Sequence, residues 1–272
     1  MSFLLQPLTY EFMQRGLLAS VIVGVLCAIM GTYVVLRGMA FLGDAMAHAI
    51  LPGIAIAYLL NGNLMVGALV AAVIIALSIG YFSKQGAIKE DTAIGILFAA
   101  ALALGVALIS TIQTYAVDLS HILFGNVLGV SSTDLWLTAG LGLLILLTVI
   151  LLYKPFLIIS FDPVLAATLR LPAELLRNLM LVLLALTVVV SLQTVGVGLA
   201  AAMLVTPAAT AYLLTRRLAP MMIVSAILGA LSSIIGLYVS YYFNIVSGSA
   251  IVLTTTTFFL LAFLWKRIKS SS

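Results

Sequence analysis

Charge is what this chain has least of. Among 272 residues only 7% are Asp, Glu, Lys or Arg, while 64% are hydrophobic. Soluble domains carry about 25% charged and about 45–50% apolar residues, so these few charges cannot coat a soluble fold. A soluble enzyme, a secreted disulfide domain and a free nucleic-acid binder are excluded. Cysteine is equally sparse. The single Cys27 lies inside an apolar run, which rules out a disulfide and a thiolate metal site. No Gly-Lys pair occurs anywhere, so no Gly-x-x-x-x-Gly-Lys-Ser/Thr phosphate loop exists and the chain does not hydrolyse ATP by that route. Ser/His/Asp constellations, paired carboxylates and Arg-rich sensor helices are also missing. Intramembrane catalysis therefore has little to stand on.

What fills the space is helix-length apolar sequence. One spanning helix needs roughly 20 apolar residues, and mean hydropathy is +1.32. Apolar runs fall near 16–36, 40–60, 64–82, 92–112, 135–153, 175–190, 196–214, 221–241 and 249–265. The expected fold class is an all-α integral membrane protein of about nine transmembrane helices. An outer-membrane barrel does not fit, because the runs are continuous rather than alternating. A further piece around 121–130 is too short to cross and suits a re-entrant or interfacial helix. The first fifteen residues carry Pro7 and Glu11 and lack a basic leader before an apolar run, so no cleavable signal is expected. Residues 3–14 read as an interfacial helix ahead of the first span. No repeat or linker divides the chain, which reads as one membrane domain over residues 1–272.

Basic residues orient it. Counting connections alternately from the C-terminal Lys266, Arg267 and Lys269, eleven of the twelve Lys and Arg fall on one side: Arg37, Lys84, Lys89, Lys154, Arg170, Arg177, Arg216, Arg217 and that tail. Only Arg15 falls opposite. Positive charge accumulates on the cytoplasmic face, so an odd number of spans, a cytoplasmic C-terminus and an outer N-terminus are expected, in a multi-pass plasma-membrane protein.

Charge inside a span is the informative exception. Asp44 and His48 stand at i and i+4 in the second run and share one helical face. With the helix starting near residues 38–40, His48 would lie about 12–15 Å along it. A charged Asp at the bilayer centre costs about 2.5–3.5 kcal/mol on insertion scales. Carboxylate oxygen with imidazole nitrogen suits divalent manganese, iron or zinc. The plainer reading is a capping Asp and a His bonded to a neighbouring helix. With two His and no other mid-span carboxylate, one copy cannot complete a four-ligand site, whereas two facing copies could. Pro52-Gly53 follows one turn later and weakens the helix, exposing carbonyls to a path or merely kinking it for packing.

Ser160-Phe161-Asp162-Pro163-Val164-Leu165 leads to Arg170-Leu171-Pro172 within a cytoplasmic connection at 153–175. Asp162 is placed to cap a short helix, Pro163 suits its first position, and Leu171-Pro172 stops it. Such a helix either docks into a partner's groove or rests on the bilayer. Gly196, Gly198 and Ala200–Ala202 read as a close-packing surface, as do Gly125 and Gly129. Thr254–Thr257 reads as a back-bonded run. Asp118 and His121 read as a solvated outer loop, with a gate or docking surface as the alternative. Lys89-Glu90-Asp91 reads as a loop ending at a helix N-terminus.

Six blocks in order resemble one family. They are Val34-Val-Leu-Arg37-Gly-Met-Ala-Phe-Leu-Gly-Asp44-Ala-Met-Ala-His48-Ala-Ile-Leu-Pro-Gly53, Glu90-Asp91 through Gly95 to Phe98, Leu123 through Asn126 to Ser131, Phe161-Asp162-Pro163, Thr194-Val-Gly-Val-Gly198 through Pro207 to Ala211, and Ser247 to Leu253. The chain resembles the membrane permease subunit of bacterial ATP-binding-cassette importers for manganese, zinc and iron, the branch served by cluster A-I binding proteins. That resemblance covers nearly the whole chain and implies a type II importer fold. It implies a second permease copy (a homodimer), cytoplasmic ATPase subunits that bind ATP, and an extracytoplasmic metal-binding lipoprotein, with no nucleic acid and no covalently bound cofactor. It implies that Asp44 and His48 contact a transported divalent metal, manganese ahead of zinc or iron. It implies too that the Phe161-Asp162-Pro163 segment, with Leu165 and Arg170, couples to the ATPase. Gly38 departs from the family pattern, where a second Arg commonly follows Arg37. The rival reading is an ion-coupled secondary metal transporter working without an ATPase.

Overall fold

Long apolar stretches have no water to satisfy backbone N–H and C=O groups in a bilayer, so they close those bonds internally as helices. The computed structural model of the chain describes residues 6–84, 88–111 and 127–271, and these are helical throughout their ordered elements. A short 3-10 turn, Pro7–Thr9, precedes α1 (Glu11–Leu36). Then come α2 (Leu42–Ala49), α3 (Leu51–Leu59), α4 (Leu64–Lys84), α5 (Glu90–Ser110), α6 (Ser132–Leu151), α7 (Tyr153–Phe161) and α8 (Pro163–Thr168). The chain ends with α9 (Ala173–Val195), α10 (Val197–Leu214), α11 (Leu218–Phe243) and α12 (Ser247–Ser271).

Among the described residues, eight segments are long and apolar enough to cross a membrane, with α2 and α3 together forming one of them. The shorter apolar helix within α10, Gly198–Leu214, accounts for the ninth run. The fold class is therefore all-α and polytopic, as the apolar runs indicate.

The helices group into two compact units, neither of which is a contiguous stretch: residues 1–35, 121–144 and 190–272 form one, residues 36–120 and 145–189 the other. In the first unit, small residues let backbones approach without side chains between them. A Cβ at Gly31 would collide with the Leu204 carbonyl, joining α1 to α10, and one at Gly229 would meet the Gly24 carbonyl, joining α11 to α1. Buried hydroxyls add interhelical bonds: Ser225 donates to the Ala28 carbonyl at 2.8 Å and Ser233 to the Ser20 carbonyl at 2.9 Å. Without a hydrophobic drive in lipid, close approach and such bonds are what hold helices together. In the second unit Gly53 and Gly67 face each other, each blocking a Cβ on the other, so α3 and α4 touch backbone to backbone.

Several expectations are corrected here. Residues 11–14 belong to α1 itself and form no separate interfacial helix; Glu11 pairs with Arg15 one turn on. The connection after α6 is not plain loop but α7: Pro155 lacks the N–H that would bond Leu151, so the helix breaks at Leu152 and restarts. Of Gly196, Gly198 and Ala200–Ala202, Gly198 is not a close-packing position within this chain, whereas Ala200 is buried. Gly196 takes φ 81° to turn α9 into α10, and a Cβ at Gly198 would meet nothing within 4 Å. The threonine run does back-bond, with Thr254, Thr256 and Thr257 each donating to a carbonyl four residues earlier at 2.8 Å.

Candidate functional site

The site begins at a turn. Arg37 ends the run of α1, Gly38 takes φ +69°, and the Leu42 N–H closes onto the Met39 carbonyl at 2.9 Å before α2 starts. Positive φ is cheap for glycine and costs roughly 1–2 kcal/mol for other residues. That accounts for glycine at position 38. Because α2 starts at Leu42 rather than near 38–40, His48 lies about 9 Å along it, less than expected.

Helix α2 buries Leu42, Gly43, Ala45, Met46, Ala47 and Ala49. The face left open carries Asp44 and His48, whose side chains are 47% and 28% exposed. Their facing atoms, Asp44 Oδ1 and His48 Nε2, are 3.7 Å apart, too far for a hydrogen bond. An ion about 2.1 Å from each would see them about 120° apart, an acceptable ligand angle. The Phe98 ring from α5 lies 6.0 Å from the His48 ring and packs edge-on against Phe41 at 5.4 Å.

The span then breaks at Ile50. A regular helix would bond the Pro52 nitrogen to the His48 carbonyl, and proline has no hydrogen to give. The Ile50 N–H turns to that carbonyl instead. No group of three or more His, Cys, Asp or Glu side chains gathers among the described residues. At this site the described residues of one chain present one carboxylate and one imidazole.

The 160–172 segment has the local structure its residues indicate. The Asp162 carboxylate caps α8 by accepting the Leu165 N–H at 2.9 Å, and Pro163 opens the helix. Arg170 closes it in the left-handed region at φ 54°, with the Leu171 N–H reaching back to the Ala166 carbonyl at 3.0 Å. Ala166 is buried, while Phe161, Val164, Leu165 and Leu169 are exposed. Asp118 and His121 lie outside the described residues.

One polar cluster was not expected. Glu90, read as a helix-start residue, accepts two bonds from Arg37 at 2.9 and 3.0 Å, and its Oε1 lies 3.9 Å from Arg177 Nε. The three side chains are only 14–20% exposed. Arg177 also donates to the Gly80 carbonyl at 2.8 Å. Burial draws the Arg37 guanidinium below its ordinary value, and Glu90 opposes that shift. Charge scarcity is the signal that points to such a cluster: in so apolar a chain an acid near a span is costly without a partner.

Fold and side chains together define a polytopic helical membrane protein with a carboxylate–imidazole pair set in an interrupted span. More narrowly, the chain belongs to the ABC 3 transport family, whose profile matches residues 9–266. It is 50% identical over 258 residues to the manganese transport system membrane protein MntC of Halalkalibacterium halodurans, covering 95% of this chain and 88% of that one. A probable iron transport system membrane protein of Haemophilus influenzae is 41% identical, with 98% of each chain covered. Among solved structures, a chain of PsaBC from Streptococcus pneumoniae in complex with Fab superposes with TM-score 0.84 at 42% identity, covering 96% of this chain and 94% of that one.

Proposed function

We propose that this chain is the transmembrane permease subunit of an ATP-driven importer that brings a divalent transition metal into the cell, manganese ahead of zinc or iron. The observation that carries the reading is the open face of α2, where Asp44 and His48 stand together on a helix buried everywhere else. Family membership and a manganese-transport relative of nearly the same length support it. The metal is cargo rather than resident cofactor, and a sparse oxygen–nitrogen set without thiolate holds it weakly enough to release.

Two such faces, one from each copy of a permease homodimer, supply the four ligands one chain lacks. ATP is bound and hydrolysed on separate cytoplasmic ATPase subunits, and an extracytoplasmic lipoprotein delivers the ion. The exposed apolar side chains of Phe161 and Leu165, the capped Asp162-Pro163 turn and Arg170 support docking of that ATPase. Arg170 keeps a large charged side chain where backbone geometry favours glycine, which fits a role at a contact. The whole chain acts as one membrane domain with its C-terminus in the cytoplasm.

The test is Asp44→Asn combined with His48→Ala in the assembled complex. Manganese uptake is expected to fall by more than the ~10–100-fold that even outer-shell changes at metal sites cost. Unchanged uptake by normally assembled complex would remove these residues from the path.

A further inference from the structure

Resting on that reading, we propose that Glu90 is a positioning residue that links the ATPase-facing segment to the metal-bearing helix by exchanging between Arg37 and Arg177. The cluster lies wholly within one compact unit, residues 36–120 with 145–189. Each of its members leads somewhere. Arg177 sits in the second turn of α9, one short turn after α8 and the left-handed Arg170. Arg37 is followed directly by the Gly38 turn into α2, where Asp44 and His48 stand. Glu90 itself begins α5, and Phe98 on the same helix packs beside His48.

The geometry is lopsided in an informative way. One carboxylate serves two guanidinium groups. It holds Arg37 with both oxygens and stands 3.9 Å from Arg177, whose Nε makes no hydrogen bond. A second discrete arrangement is therefore at hand, with Glu90 drawn onto Arg177 and Arg37 released. Static stability is a poor reason to bury three charges, since apolar side chains of similar volume commonly serve as well or better. A two-state contact whose partners lie on different helices is what carries coupling between separated sites. Displacement of α8 by the ATPase would move α9, shift Arg177 relative to Glu90, and so loosen or tighten the turn that aims Asp44.

The experiment uses the full complex in proteoliposomes and reads Mn²⁺ transported per ATP hydrolysed, beside Mn²⁺ bound per purified complex. Arg177→Gln leaves the tight Arg37–Glu90 pair in place, so the fold is retained. Its transport-to-hydrolysis ratio is expected to drop about tenfold, within the usual range of coupling free energies, with bound Mn²⁺ unchanged. Glu90→Gln should do the same and Glu90→Asp should recover most of the ratio. If Arg177→Gln and Glu90→Gln keep the parent ratio, or lose uptake only in proportion to assembled complex, the inference is wrong while the functional reading stands. A parent complex with no ATP-dependent uptake overturns both.

Discussion

Asp44 and His48 are separated by one helical turn, and that spacing alone aims both at the same place. The pair was legible in the sequence because polar groups inside an apolar run have no cheap explanation. Its completion was legible only as a count, since one chain offers two of four ligands and a second facing copy could offer the other two. Gly38 shows the opposite balance. Its identity was visible as a departure from the family pattern, but its reason is a backbone angle of φ +69°. Space is not the constraint, for a Cβ there would meet nothing within 4 Å. Gly38→Ala is accordingly expected to cost about 1–2 kcal/mol through strain alone, seen as a lower midpoint of thermal unfolding in detergent. An unchanged midpoint would mean the turn relaxes freely. Glu90 does start a helix as its sequence indicates, but its pairing is not legible, because Arg37 and Arg177 are 53 and 87 positions away and no local pattern joins them.

Helix interruptions carry the chemistry at the scale of elements. The break between α2 and α3 follows from Pro52, and the break between α6 and α7 from Pro155. The first was foreseen because proline stood in mid-run; the second was hidden by lying where a loop was already expected. The α8 cap was readable outright, since Asp followed by Pro leaves few alternatives. Replacing Asp162 by Ala removes the bond to the Leu165 N–H and should cost about 1 kcal/mol locally. Because α8 is exposed, global stability should change little while co-purification of the ATPase subunit weakens. Asp162→Asn, which can still accept that bond, should retain the ATPase. Equal retention by both variants would show that the capped turn does not matter for docking.

Across the whole molecule, span number is read from apolar length and the expected orientation from the placement of basic residues. The reading of nine crossings depends on α10, whose apolar part, Gly198–Leu214, is shorter than the other spans. With nine crossings the termini lie on opposite faces; with eight they share one. Cysteine labelling decides between these, because Cys27 is buried and is the only native thiol. In right-side-out vesicles, Gly62→Cys and Ser271→Cys are expected to differ: Gly62, between α3 and α4, should react with an impermeant maleimide, and Ser271 only after permeabilisation. Reaction of both variants in sealed vesicles would mean eight crossings, and reaction of Ser271→Cys with Gly62→Cys protected would reverse the orientation. What no composition could supply is the pairing of helices through facing glycines, since Gly53 and Gly67 meet only once the chain is folded.

The most direct measurement is uptake of Mn²⁺ into proteoliposomes holding this chain with its ATPase and supplied with loaded binding protein, with and without ATP. The account predicts accumulation that requires both ATP and the ATPase subunit. Equal flux from the chain alone, without either, would contradict it and identify a secondary transporter instead.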